Sequence, residues 1–195
     1  AYNPAPASTA SRTYPFDPIP QDRDPIFYCS SDQHNNKDYT LNISKQQNFD
    51  VYAFVGDYIN DLSSESGLKL LLDMTGSVTQ GRKPTIYARG NHEIRGSQCF
   101  NLHRVSPCTD EKNFYYTIEM PGILGIVLDA GEDKVDSSAS YNGTVQFAQY
   151  REEQTQWLRK LVESREWEKY PVRMVFCHVP FSFYASGEFE SVYKE

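Results

Sequence analysis

The chain has 195 residues, which is enough for one domain with a sizeable hydrophobic core. Its 26 Asp and Glu residues outnumber its 19 Lys and Arg residues, and the formal net charge is −7. No basic cluster or stripe is present, so the charge pattern argues against binding to nucleic-acid duplexes. No apolar run reaches the length of a transmembrane helix, and we expect no membrane partner.

The N-terminal residues differ in composition from the rest of the chain. Residues 1–24 are rich in Pro, Ser, Ala and Asp, which is typical of linkers and extended segments. We predict that they form a linker or an extended arm that packs on one domain spanning residues 25–195.

Four short runs rich in β-branched and aromatic residues, bounded by Pro or Gly, predict buried strands. They cover residues 25–30, 49–55, 84–88 and 171–177. Two segments between them predict helices, residues 67–74 and about 146–165, and in the second Trp157, Leu158, Leu161 and Val162 share one face. Strands that alternate with helices predict a sheet with helices packed on its faces.

A short polar patch follows each predicted strand, and three of the four histidines of the chain lie in these patches. Asp-x-His and Gly-Asp alone are typical of turns, and a single histidine after a strand is typical of a core residue, whereas Gly-Asn-His-Glu is rarer because it specifies four consecutive residues. Because ligands gather beyond the carboxyl ends of strands, we expect one site to collect all four patches. Carboxylate, imidazole and amide groups suit a pair of divalent metal ions, and two adjacent metals can stabilise a phosphoryl displacement. The patches read Asp32-Gln33-His34, Gly56-Asp57-Tyr58-Ile59-Asn60-Asp61, Gly90-Asn91-His92-Glu93 and His178-Val179-Pro180.

These patches, in this order over Asp32 to Pro180, resemble the motifs of the calcineurin-like metallophosphoesterase superfamily. The segment Leu128–Lys134, with residues 150–154, further resembles the purple-acid-phosphatase-like branch, although that second match carries no metal ligand. The resemblance implies an α/β (α+β) fold, a sandwich of two mixed β-sheets flanked by helices. It also implies a phosphate mono- or diester as the substrate.

The same resemblance implies a centre with two divalent metal ions and no organic cofactor. Asp32 and His34 would bind the first metal, Asp57 would bridge both, and Asn91 and His178 would bind the second. Asn60 stands where the purple enzymes have a tyrosine, so we expect a colourless centre that binds manganese, iron or zinc.

The resemblance also assigns catalytic roles. A hydroxide that bridges the metals would attack the phosphorus, and His92 would act as the general acid or steady the phosphoryl group. Asn60 and Asp61, at and next to the position where the family often has an Asp that pairs with this histidine, are candidate catalytic residues. Arg95 either contacts a phosphate or forms a surface ion pair. Glu93 either orders the His92 loop or caps a helix.

One motif of the family is missing, because no Gly-His-x-His and no histidine at all follows His178. Those two imidazoles would supply one ligand to each metal. We interpret the sequence as a fragment that lacks its C-terminal strands, unless other groups complete the site. The alternative function is a catalytically incomplete or non-catalytic binding domain that keeps the fold.

The four cysteines bear on the redox environment of the protein. Cys99 and Cys108 flank a loop and form either a local disulfide, as in secreted proteins, or two thiols. On this basis we expect an extracellular or periplasmic location. Cys29 and Cys177 fall in predicted core strands, so we predict that they are buried thiols.

Overall fold

A computed structural model describes residues 11–110 and 112–181. Within these ranges the chain forms six strands, three α-helices and two 3₁₀-helices. The strands are β1 Phe27–Ser30, β2 Val51–Val55, β3 Thr85–Ala88, β4 Tyr116–Met120, β5 Ile123–Val127 and β6 Val172–Phe176. The α-helices are α1 Lys37–Ser44, α2 Glu65–Thr79 and α3 Phe147–Ser164, and the 3₁₀-helices are Cys99–Arg104 and Glu166–Lys169.

The first sheet has the order β1-β2-β3, and both of its strand pairs are parallel. Strand β2 is buried except at its last residue, Val55, and its successive side chains point to opposite faces. Tyr52 and Phe54 pack on one side with Leu71 and Met74 of α2. Because both faces of the sheet are covered, β2 is apolar throughout, as expected for a buried parallel strand.

The second sheet has the order β4-β5-β6, with β4 and β5 antiparallel and β5 and β6 parallel. Its inner face packs against the first sheet. Val51 and Ala53 of β2 lie in one core cluster with Val127 and Phe176 of the second sheet, and the ring of Phe176 is 6.2 Å from that of Phe27. The two sheets therefore form a sandwich.

Helix α3 covers the outer face of the second sheet. Leu158 is buried in a cluster with Leu128 and Ala130, and Trp157 and Leu161 pack against it. The predicted face of the helix is thus correct for Trp157, Leu158 and Leu161, but Val162, which was assigned to the same face, is exposed. The layers run α1 and α2, first sheet, second sheet, α3, so the predicted sandwich of two sheets flanked by helices is confirmed. None of the described helices is long and apolar enough to cross a bilayer.

Residues 11–26 contain no helix or strand and contact the domain. Asp17 forms an ion pair with Arg82 at 2.6 Å. Ile19 packs against the cluster between the sheets, and Arg23 donates two hydrogen bonds to Asp50 at 2.7 and 2.8 Å. These contacts hold the segment against the first sheet.

The prediction that Cys29 is buried is wrong. Among the described strands, β1 lies at an edge of its sheet, and Cys29 is exposed on it, while Cys177 is only partly buried just beyond β6. Edge strands are covered incompletely, so an apolar run alone did not fix burial there. Cys99 is a free thiol rather than half of a disulfide, and Cys99 and Cys108 both pack against the cluster beneath α2.

Candidate metal centre

The four polar patches meet in one open cleft of about 520 Å³ at the carboxyl ends of the strands. The cleft collects the five predicted metal ligands together with His92. One further carboxylate, that of Asp133, lies in its wall. The lining residues are Asp32, His34, Asp57, Asn91, His92, Asp133, His178, Val179 and Pro180.

The backbone at three of the predicted ligands adopts a left-handed conformation that residues other than glycine seldom take. The φ angles are 58° for Asp32, 45° for His34 and 56° for Asp57. Asp and His tolerate this region better than most residues, but each such position costs conformational free energy. Backbone hydrogen bonds hold the strained loops together, from Asp32 N to Gly56 O at 3.1 Å and from His34 N to Asp57 O at 3.0 Å.

Two glycines allow the loops to approach closely. A Cβ atom on Gly90 would lie 2.3 Å from Asp57 Oδ1 and 2.4 Å from Asp57 N. A Cβ atom on Gly56, where φ is 76°, would lie 2.6 Å from His178 Cγ. Larger side chains at these positions would push Asp57 and His178 apart, so the two glycines set the dimensions of the centre.

Glu93 is fully buried beneath the cleft and binds the backbone of two of its loops. Oε2 accepts from Asp57 N at 2.9 Å and from Gly90 N at 2.8 Å, and Oε1 accepts from Tyr58 N at 2.8 Å. Burial raises the pKa of Glu93, and these backbone donors oppose that shift. Of the two roles considered for Glu93, the structure shows loop ordering.

Two imidazoles are oriented in the same way. His178 Nδ1 donates to Val55 O at 2.9 Å, and His178 Nε2 lies 3.3 Å from Asp57 Oδ2. His92 Nδ1 donates to Asn60 O at 2.7 Å, and His92 Nε2 lies 3.7 Å from Asp57 Oδ2. A carbonyl on Nδ1 fixes the ring and leaves Nε2 to face the cleft, an arrangement common among metal-binding histidines. The His34 ring meets that of His92 edge-on at 4.6 Å.

The charges in the cleft are strongly coupled. Burial raises the pKa of Asp57, but hydrogen bonds from His178 and from the backbone N–H of His92 outweigh burial and hold it below its ordinary value. Burial lowers the pKa of His178, but Asp57 and the Val55 carbonyl raise it to about 9. Without a metal ion, Asp57 and His178 therefore form an ion pair near neutral pH.

The donor set fits two metal ions that share one ligand. One group consists of His34, Asp57 and His92 and the other of Asp32, Asp57 and His178, and within each group the ligand atoms lie within 4.8 Å of one another. Asp57 belongs to both groups, as a bridging carboxylate must. The grouping differs from the pairing that the resemblance implies, because His34 lies with His92 and Asp32 lies with His178.

Asn91 and the predicted catalytic residues occupy distinct places. Asn91 is buried in the wall of the cleft, where its amide oxygen can serve as a ligand. Asn60 contacts His92 through its backbone carbonyl rather than its side chain. Asp61 is exposed outside the cleft, and its Oδ1 accepts from Ser63 N at 2.8 Å in a turn.

Arg95 takes part in two contacts at the edge of the cleft. It forms an ion pair with Glu132 at 3.1 Å, and its Nη1 lies 2.9 Å from His92 Nε2. The side chain of Arg95 is 36% exposed, so one face of the guanidinium remains open. An ion pair and access to a phosphate are thus both compatible with its position.

Asp133 was not predicted as a site residue from the sequence. It follows β5 within the segment Leu128–Lys134, which was noted only for its resemblance to one branch of the superfamily. Lys134 Nζ pairs with Asp133 Oδ1 at 2.5 Å. The available signal was topological, because a polar segment at the carboxyl end of another parallel strand lies near the same edge.

Comparisons with known proteins identify the family and agree with the fold. A family model described as calcineurin-like phosphoesterase matches residues 27–194. A crystal structure of a dimetal phosphatase from Danio rerio is similar, with a TM-score of 0.55 and 15% sequence identity, covering 88% of this chain and 77% of that chain. At this identity the likeness concerns the fold. No curated protein sequence matches the chain. The family match covers most of the chain, and the chain belongs to the calcineurin-like phosphoesterase family.

Proposed function

We propose that this protein hydrolyses phosphate mono- or diesters with the aid of two divalent metal ions, manganese, iron or zinc. The observation that carries the proposal is the position of Asp57 in two ligand groups at once. Asp32, His34, Asn91 and His178 are the other residues that would hold the ions. When bound, such ions polarise the phosphoryl oxygens and activate water for attack.

The charge of the cleft explains why cations are needed. Asp32, Asp57 and Asp133 line it, and the whole chain carries a net charge of −7. A phosphate ester would be repelled from this surface until bound cations reverse the local charge. Substrate binding should therefore depend on prior loading with metal.

His92 is the residue best placed to move a proton. Asn60 O only accepts and Arg95 Nη1 only donates, so both contacts are satisfied when the neutral ring carries its proton on Nδ1. The lone pair of Nε2 then accepts from Arg95, and Nε2 can take up a proton once that contact is broken. Once protonated, Nε2 can give its proton to the oxygen of the departing alcohol, as a general acid does.

Arg95 supplies a fixed positive charge beside His92. Its guanidinium can donate to the phosphoryl oxygens in a bidentate manner, which a lysine cannot match. The role assigned here requires that the substrate displace the contact between Arg95 and His92.

The test combines metal analysis with turnover. Wild-type protein dialysed against Mn²⁺ or Zn²⁺ should hold two ions per chain and hydrolyse p-nitrophenyl phosphate or its bis-ester. Asn91→Ala should lose metal, and His92→Ala should keep metal but lose turnover by about a hundredfold or more. Asn42→Ala, on the exposed face of α1, and His103→Ala, outside the cleft, are matched controls.

Three outcomes would contradict parts of this proposal. Equal metal loss in Asn91→Ala and His92→Ala would make His92 a ligand, as its grouping with His34 and Asp57 allows. Zero or one ion per chain would mean that the described residues do not complete the centre. Two ions without turnover of either ester would favour a binding domain that keeps the fold.

A further inference from the structure

Two arginines bracket the loop that carries Asn91 and His92. Arg89 lies directly after β3, and Arg95 lies at the far end of the loop. Each forms an ion pair with a carboxylate from the segment after β5, Arg89 with Asp129 at 2.6 Å and Arg95 with Glu132 at 3.1 Å. Both carboxylates are only 1% exposed. One segment of the second sheet thus holds both ends of a loop of the first sheet.

The first pair anchors that segment to helix α3. Tyr150 donates its hydroxyl to Asp129 Oδ2 at 2.8 Å, and Gln154 Oε1 accepts from Asp129 N at 2.7 Å. The Arg89 guanidinium stacks on the ring of Phe114 at 4.2 Å. Removing one partner of so buried a pair leaves an uncompensated charge, so we assign this pair to stability.

The second pair reaches the cleft. Arg95 Nη2 lies 3.1 Å from Glu132 Oε1 and Arg95 Nε lies 3.4 Å from Glu132 Oε2, so the carboxylate holds one edge of the guanidinium. The remaining nitrogen, Nη1, contacts His92 Nε2 at 2.9 Å. Burial, together with the neighbouring Glu132 carboxylate, raises the pKa of Tyr141. Glu132 therefore points Arg95 at His92.

We propose that Glu132 is a positioning residue for phosphoryl transfer, acting through Arg95. A free arginine at this edge could turn to Asp133, whose carboxylate lies in the same wall. Glu132 prevents that rotation and keeps Nη1 at the edge of the cleft, where it contacts His92 in the free protein and can move to a phosphoryl oxygen when a substrate binds. This inference rests on the proposed function for its catalytic consequence, but the coupling from Glu132 through Arg95 to His92 is a property of the metal-free protein.

A double-mutant cycle tests the catalytic part. Arg95→Ala and Glu132→Gln should each lower kcat for p-nitrophenyl phosphate by about tenfold or more, with metal content unchanged. Glu132→Gln introduced into Arg95→Ala should cause no further loss, because Glu132 acts only through Arg95. An additive loss would overturn the proposal. Arg95→Lys keeps the positive charge but lacks the planar guanidinium that bonds to Glu132 and His92 at once, so its kcat should resemble that of Arg95→Ala. A wild-type kcat in Arg95→Lys would also overturn the proposal.

A second readout needs no turnover. Heteronuclear NMR of the imidazole nitrogens in metal-free protein reports the hydrogen bond at His92 Nε2. Arg95→Ala and Glu132→Gln should shift this resonance in the same direction, and Glu152→Gln, on the exposed face of α3, should leave it in place. An unchanged resonance in Glu132→Gln would overturn the coupling. A wild-type protein that binds metal without turnover, but shows the expected shifts, would refute the proposed function while leaving the coupling intact.

Discussion

Substitution of Gly90 by alanine tests whether close packing of backbone sets the geometry of the metal centre. The new Cβ atom would lie 2.3 Å from Asp57 Oδ1, 2.4 Å from Asp57 N and 2.8 Å from Glu93 Oε2. The contacts with Asp57 Oδ1 and Glu93 Oε2 involve side chains that hydrogen bonds hold in place, and the contact with Asp57 N involves the backbone. The loop must therefore move away from Asp57.

The expected cost follows from two effects. Overpacking in a well-packed region typically costs about 1–3 kcal/mol. Displacing Glu93 weakens its bonds from Gly90 N and Asp57 N, each worth about 1 kcal/mol or more. A total of about 3 kcal/mol corresponds to a fall in Tm of about 6–12 °C for a domain of this size.

Scanning calorimetry of the metal-free protein measures the fall in Tm, and titration with Mn²⁺ measures the effect on the centre. We expect affinity for Mn²⁺ to fall by about tenfold or more, because the bridging carboxylate is displaced. Gly76→Ala is the matched control. It lies within α2 with no atom within 4 Å of the new Cβ, and it should raise stability by about 0.5–1 kcal/mol. A Gly90→Ala variant with the Tm and the Mn²⁺ affinity of the wild type would refute the view that close backbone packing sets the geometry of the centre.

Three further predictions concern carboxylates. Glu93→Gln should lower Tm by about 4–10 °C, because an amide accepts on one side only while N–H groups approach both oxygens of Glu93. Calorimetry that shows no change would refute this. Arg23 holds the pKa of Asp50 at about 2, below the ordinary 3.8, so its carboxylate stabilises the fold above pH 3.8 and ceases to do so as pH falls through about 2. The melting temperature of the wild type should thus fall more steeply over this range than that of Asp50→Asn, and parallel curves would contradict the assignment. Asp61→Asn should keep turnover within about twofold of wild type, whereas Asp32→Asn should lose metal by elemental analysis; similar losses in both would place Asp61 in the centre.

The collection of the four patches could be predicted from residue types at strand ends. The sandwich followed from the family resemblance, because the strand pattern alone predicted one sheet and did not include β4 and β5 of the second. Contacts made by backbone atoms could not be predicted from the sequence. Asn60 was predicted through its side chain but contacts His92 through its carbonyl. For Glu93, the sequence left loop ordering and helix capping open, and only the structure shows which backbone N–H groups it binds. Asp133 was missed because β5, the strand that precedes its segment, was not among the strands predicted from the sequence.

Burial at the sheet edge was equally hard to predict. Cys29 lies in an apolar run, and such a run predicts a strand but not the extent to which neighbouring layers cover it. The outcome at Cys29 depends on β1 being the edge of its sheet, which the order of strands along the chain does not determine.

The hydrogen bond from His178 to Val55 joins residues 123 positions apart and connects the two sheets. A contact of such sequence separation requires closure of a very long loop, so the cleft is assembled late in folding rather than by any single hairpin or helix. During synthesis, a chain that ends before His178 has three of the four patches but no closed cleft. Cations that bind only the closed cleft would stabilise the complete fold but not the partly synthesised chain. The supply of metal would therefore influence the yield of folded protein.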